Sequence, residues 1–272
     1  MLQRPPCAPL RPFVARLWAG DGDPGRPAAG ALQREHVLPT GLMHVVIRLA
    51  DRPLHLLDPR TAGRTRAPLC LVGGARSSFH ARETAGPSCS VGAVLRPGAA
   101  ALLFGVGADG LAHRHTGLDE LWGAAAGRLR DELCELPTAE ARLARFEARL
   151  GERLPWLRGP DPQVAALIAC LHEAPDVGAA VRRSGLSHRR FIANVRHAVG
   201  LAPKEYLRVQ RLQQALRSLR ADPATTLAGV AALAGYSDQS HFGREFLAFA
   251  GVTPAGYRAN VPVEANHLLL GR

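Results

Sequence analysis

Lysine is almost missing from this sequence: Lys204 stands alone among 34 basic side chains in 272 residues. The formal net charge of +11 is therefore largely an arginine-biased composition, and alone it locates no nucleic-acid surface. No run of about 18 apolar residues occurs, so no segment reads as a membrane-spanning helix. Residues Met1 to Cys7 lack the apolar core of a signal peptide. A cytoplasmic protein without a membrane partner is expected. Cys7, Cys70, Cys89, Cys134 and Cys170 are odd in number, scattered, and never spaced C-x-x-C, which argues against a zinc ribbon or a disulfide framework. Reduced thiols are expected, with a redox-sensing Cys70/Cys89 pair as the alternative. Enzyme fingerprints are also missing: there is no Gly-x-Ser-x-Gly, P-loop or Rossmann motif, and Gly105-Val106-Gly107 is too short to count. His44, His55, His80, His113 and His115 do not reproduce a clustered His-x-His and carboxylate arrangement. His113 and His115 also lack the i,i+4 spacing of a helical zinc pair. No metal, no cofactor and no catalysis are expected.

What is present lies near the C-terminal end. Gly235 can close a helix in a left-handed cap, and Ser237 and Asp238 are N-cap types that start the next. Phe242, Phe246, Phe249 and Ala250 then recur on one helical face. This is a helix-turn-helix pattern, completed by Gly251-Val252-Thr253-Pro254 and Tyr257. The unit occurs twice. Gly185-Leu186-Ser187 precedes Gly235-Tyr236-Ser237 by 50 residues, and Gly200-Leu201-Ala202-Pro203 with Tyr206 precedes its counterpart by 51. The extra residue falls between Ser237 and Phe242. Between the copies, Pro203 to Arg220 reads as one helix with Tyr206, Val209, Leu212, Leu216 and Leu219 on one face, while Arg208, Arg211 and Arg217 point elsewhere. Asp222-Pro223 stops it. Its length of about 28 Å approaches the roughly 34 Å between successive major-groove faces. The helix can space two DNA readers, pack the two bundles together, or do both.

The Gly235-to-Tyr257 wording closely resembles the C-terminal motif of AraC-family transcription regulators. The tandem arrangement over roughly residues 162–260 extends that resemblance. It implies an all-α DNA-binding domain that inserts two recognition helices into duplex DNA. In the first copy Phe191, Val195, Ala198 and Val199 form the inward stripe, leaving His188, Arg189, Arg190, Ala193, Arg196 and His197 for DNA. In the second, Gln239, Ser240, His241 and Arg244 are the candidates, and Asp238 is a cap. Arginine can read guanine or hold phosphate, and glutamine can read adenine. Local charge supports the placement: residues 182–220 hold ten Arg and Lys against Glu205 alone.

The first 116 residues have another texture. Met43 to Leu49, Pro53 to Leu57, Leu69 to Val72 and Cys89 to Leu95 are short apolar or alternating runs. They are separated by turns at Pro39-Thr40-Gly41, Asp58-Pro59, Gly73-Gly74, Gly86-Pro87 and Arg96-Pro97-Gly98. The pattern predicts an antiparallel β-barrel or jelly-roll-like domain, with a short helix at Ala99 to Phe104. Leu38-Pro39-Thr40-Gly41 and Leu95 to Ala99 resemble, more loosely, AraC-family sensor domains, which implies a small-molecule effector. Two helices should follow. Thr116 with Asp119 reads as a cap for the first, burying Leu121, Leu129 and Leu133, and Thr138 caps the second, with Leu143, Phe146, Leu150 and Leu154. They either close the sensor or form a homodimer, and Gly159-Pro160-Asp161-Pro162 ends them.

The expected class is thus α+β. Residues 1–116 form the β-rich effector domain, 117–159 a helical connector, 160–262 the tandem helix-turn-helix domain and 263–272 a tail. The expected function is a sequence-specific, ligand-responsive transcription regulator with double-stranded DNA and, by resemblance, RNA polymerase as partners. The alternatives are a regulator whose N-terminal domain serves protein contacts and, less favoured, an enzyme or repair protein carrying a borrowed AraC-like domain.

Overall fold

Alternating side chains at the N-terminal end fold into strands, as a period-2 pattern requires when one face is buried. The computed structural model describes residues 1–20, 32–52, 54–57, 63–84, 89–154 and 161–270. Pro53, the turns at Asp58-Pro59 and Gly86-Pro87, and the Gly159-Pro160 half of the connector boundary lie outside the described residues. The strands are β1 (Leu2–Arg4), β2 (Val14–Ala19), β3 (Gln33–Val37), β4 (Met43–Arg48), β5 (Leu54–Leu57), β6 (Arg64–Arg66), β7 (Cys70–Gly73), β8 (His80–Thr84), β9 (Ser90–Leu95), β10 (His115–Gly117) and β11 (His267–Leu269). They form two antiparallel sheets, in the orders β1-β2-β9-β4-β7-β10 and β11-β3-β8-β5-β6.

The helices are α1 (Ala99–Phe104), α2 (Ala108–Leu111), α3 (Leu118–Trp122), α4 (Ala125–Glu135), α5 (Ala139–Arg153), α6 (Pro162–Glu173), α7 (Val177–Ser184), α8 (His188–Val199), α9 (Pro203–Ala221), α10 (Leu227–Leu233), α11 (Gln239–Ala250) and α12 (Pro254–Ala259). Helices α3, α4 and α5 pack on the six-stranded sheet. Leu129, Leu133, Leu143, Phe146 and Leu150 are all buried there. Their stripes are used inside the chain, so they offer no free dimer face. Thr138 caps α5 as expected, accepting from Ala141 N–H at 3.1 Å.

Three local expectations need correction. The cap of α3 is not Thr116 with Asp119: Thr116 belongs to β10, and Glu120 instead accepts from Gly117 N–H at 2.9 Å. Residues 263–272 are not simply a tail, because His267–Leu269 form β11 and pair with β3 at the edge of the five-stranded sheet. Cys70 and Cys89 cannot pair. β4 lies between β7 and β9, which puts these strands about 9–10 Å apart, beyond disulfide reach.

Candidate DNA-binding surface

Each helix-turn-helix unit assembles from caps that the sequence encodes. In the first, Ser187 accepts from Arg190 N–H at 3.4 Å to start α8, and Gly200 ends it at φ 93°. In the second, Asp238 accepts from His241 N–H at 2.7 Å to start α11, and Gly251 ends it at φ 71°. The residue inserted in the second copy is thereby placed in the turn and N-cap of α11. Both recognition helices are 12 residues long. Phe191, Val195, Ala198 and Val199 are buried in one, and Phe242, Phe246, Phe249 and Ala250 in the other. The long α9 runs between the units, with Tyr206, Val209, Leu212, Leu216 and Leu219 all buried.

The candidate contact residues lie on the opposite faces. His188, Arg189, Arg190, Ala193, Arg196 and His197 are exposed on α8, as are Gln239, Ser240 and Arg244 on α11. Among the described residues no carboxylate lies within ion-pair distance of Arg189, Arg190, Arg196 or Arg244. Two candidates are engaged elsewhere. His197 Nδ1 stands 3.5 Å from Asp109 Oδ1 of α2, and His241 is half-buried with Nδ1 3.0 Å from the Ser237 hydroxyl and its ring edge-on to Tyr236. Backbone and Ser237 hydrogen bonds to the cap hold the Asp238 carboxyl below its usual range.

Two arginines of α9 serve the second unit in a way the sequence does not disclose. Arg208 meets the buried Glu245 of α11 at 2.6 Å and lies over the Phe249 ring. Arg211 lies over Tyr236. Burial, reinforced by the neighbouring Glu245 charge, pushes the Tyr236 hydroxyl up. These contacts span 25 or more residues, so no local pattern carries them.

The β-rich domain grips both recognition helices at their C-terminal ends, where the last carbonyls lack intrahelical partners. Gly98 N–H donates to Ala198 O at 2.8 Å on α8. Phe79 N–H donates to Phe249 O at 2.9 Å, and His36 Nδ1 lies 2.9 Å from Ala250 O, on α11. Gln213 of α9 donates to Pro39 O and to Asn266 Oδ1, both at 2.8 Å. No helix among the described residues is long and apolar enough to cross a membrane.

Comparison with known proteins agrees with this geometry. Residues 180–260 match the helix-turn-helix domain family, and residues 2–117 match a domain of unknown function (DUF6597). Over 108 residues the chain is 35% identical to a putative AraC-like transcription regulator of Streptomyces lividans and 32% identical to one of Streptomyces antibioticus. The C-terminal domain is an AraC-type helix-turn-helix domain. Each alignment covers 38% of this chain, which spans about 35% of the length of the curated relatives it matches. Among solved structures, ToxT from Vibrio cholerae O395 is similar with a TM-score of 0.45 at 10% identity, over 84% of this chain and 95% of that one. Unsaturated fatty acid bound ToxT from Vibrio cholerae strain SCE256 gives 0.43 at 8% identity, over 89% and 93%.

Proposed function

We propose that the protein is a sequence-specific DNA-binding transcription regulator. On α8, His188, Arg189, Arg190, Ala193, Arg196 and His197 face the duplex, and on α11 Gln239, Ser240, His241 and Arg244 do so. The observation that carries this reading is the pair of recognition helices whose exposed arginines have no acidic partner among the described residues. An unpaired guanidinium on such a face is free to replace phosphate counterions or to fork onto guanine O6 and N7. His197 and His241, already held by Asp109 and by Ser237, orient the ends of their helices as well as facing DNA. Residues 160–262 act as the DNA reader, 1–116 as an effector-sensing domain, 117–159 as the connector and 263–272 as its return to the sheet. The reader works in the cytoplasm with RNA polymerase as a further partner. A homodimer would use surfaces other than the buried stripes of α4 and α5.

Control by a small effector is supported by the hydrogen bonds from the β-rich domain to Ala198, Phe249 and Ala250. Any ligand that shifts this domain changes where both recognition helices are anchored. The test selects DNA from a random duplex pool with the full chain and measures affinity across a salt series. A recovered motif with strong salt dependence is expected. Equal binding to all sequences overturns sequence-specific recognition.

A further inference from the structure

The facing sides of the two sheets carry side chains of two characters. The apolar part is small: Leu54, Ala67 and Leu71, with Val46 and Leu56 against them. Beside it sits a polar cluster. His44 and His115 flank Gly73 in register on adjacent strands, so their side chains share one face of the six-stranded sheet. A side chain at Gly73 would collide with the His44 ring, so the glycine makes room for that imidazole. From β8 opposite, His80 packs edge-on to His115 with ring centroids 4.7 Å apart. Arg76 reaches in from the β7–β8 loop and places Nη2 3.0 Å from His115 Nδ1. All four side chains keep some accessible surface despite their depth.

Charge in this space is unbalanced. Arg82 is matched by Glu35 at 2.6 Å, and His267 lies 2.7 Å from the same carboxylate. Burial alone would raise Glu35, but His267 and Arg82 overcome it and hold the carboxyl at about 2. Burial lowers His44 to about 4 and His115 to about 3, and it depresses His80 as well, so all three rings are neutral. Among the described residues of this cluster, Arg76 is therefore the cation left without a carboxylate. Among the described residues no carboxylate pairs with it, and its Nε is buried without an acceptor. A buried guanidinium in that state calls for an anion. Because His115 Nδ1 accepts from Arg76, its proton sits on Nε2, a further donor for the same ligand.

We propose that Arg76, with His44, His80 and His115, forms a binding site for a small organic monocarboxylate whose apolar body lies toward Val46, Leu56 and Leu71. One uncompensated charge matches one carboxylate, and a phosphate dianion would leave excess negative charge buried. The inference rests on the effector-controlled reading above and supplies the ligand's chemistry and place. It also supplies a route. Ala75, next to Arg76, lies against Gly200 at the end of α8, and Phe79, next to His80, holds the end of α11. A single loop thus joins the anion site to both recognition helices.

The test follows imidazole C–H resonances of the full chain while straight-chain carboxylates from formate to octanoate are added at constant ionic strength. The matching primary amides and inorganic phosphate serve as controls. Saturable shifts of His44, His80 and His115 with a carboxylate but not its amide are expected. Affinity should fall at least about tenfold in Arg76→Gln and less in Arg76→Lys, which keeps the charge and guards against a folding artefact. No saturable shift with any carboxylate, undiminished binding in a folded Arg76→Gln protein, or preferential saturation by phosphate overturns the site. Duplex affinity is read in the same samples. Carboxylate binding without a change in DNA affinity would spare the site and sink the effector reading. A DNA response to neutral ligands alone would sink the site and spare that reading.

Discussion

The two helix-turn-helix units share one plan and differ in how their polar faces are used. Helix α8 presents Arg189, Arg190 and Arg196 to solvent. Helix α11 presents Gln239, Ser240 and Arg244, and it turns Glu245 inward onto Arg208. The first unit is therefore weighted toward charge and the second toward hydrogen bonding, with an internal ion pair fixing its helix to α9. Guanidinium groups with no acidic partner among the described residues can hold phosphate with a salt-dependent grip or fork onto guanine, whereas the amide and hydroxyl of Gln239 and Ser240 carry no charge to release counterions.

The largest expected effect comes from stripping the first unit. Arg189→Ala/Arg190→Ala/Arg196→Ala should cost at least ~3 kcal/mol of DNA affinity, given ~1–3 kcal/mol for each bidentate base pairing. The salt dependence measured by titration should flatten by up to about 0.9 for each phosphate no longer neutralised. Unchanged affinity and salt slope would break the comparison on its first side. For the second unit, Arg208→Ala leaves the buried Glu245 without its cation. Breaking such a pair costs roughly 3–5 kcal/mol when both partners are deeply buried, and less here because Arg208 is partly exposed. Thermal melting should drop, and Glu245→Gln should recover part of the loss in the Arg208→Ala background.

The β-rich domain should lose stability as the pH falls. His44, His80 and His115 have folded pKa values depressed below 6.5, so the unfolded state binds more protons between 6.5 and about 3. The rings' contribution to stability is then constant above about 7 and falls as pH drops through that window, by about 1.4 kcal/mol per unit of depression for each ring. Melts from pH 7.5 to 5 check this, and His44→Gln should reduce the slope. The smallest effect belongs to Asp109→Asn, which weakens an exposed interaction with His197. A stability change within ~1 kcal/mol is expected. A modest change in DNA affinity should accompany it, measured against the same duplex.

The periodic and capped parts of this fold are legible in the sequence. Pro203 and Asp222 bracket α9, Gly200 and Gly251 end the recognition helices, and the phenylalanine stripe lies buried. Each depends on neighbours within four residues. The Thr116/Asp119 cap fails because the competing neighbour, Glu120, satisfies the Gly117 N–H while Thr116 is drawn into β10 by pairing with Val72. β11 is hidden because its partner β3 lies more than 200 residues away. The histidine cluster is invisible for the same reason. Only strand register brings His44, Gly73 and His115 side by side, and only the facing of two sheets adds His80. Exposure of the candidate DNA-facing residues follows from helical periodicity, while the engagement of His197 by Asp109 comes from a domain interface that no local pattern encodes.

On the proposed function, one chain reads DNA with two units about one helical turn apart. Footprinting the full chain, at concentrations where it is monomeric, on its selected duplex tests this most directly. Two protected major-groove segments about 34 Å apart on one face are expected, with the triple arginine variant losing the segment assigned to α8 first. Protection of a single short segment, or of two that vanish together only when the chain dimerises, would contradict it.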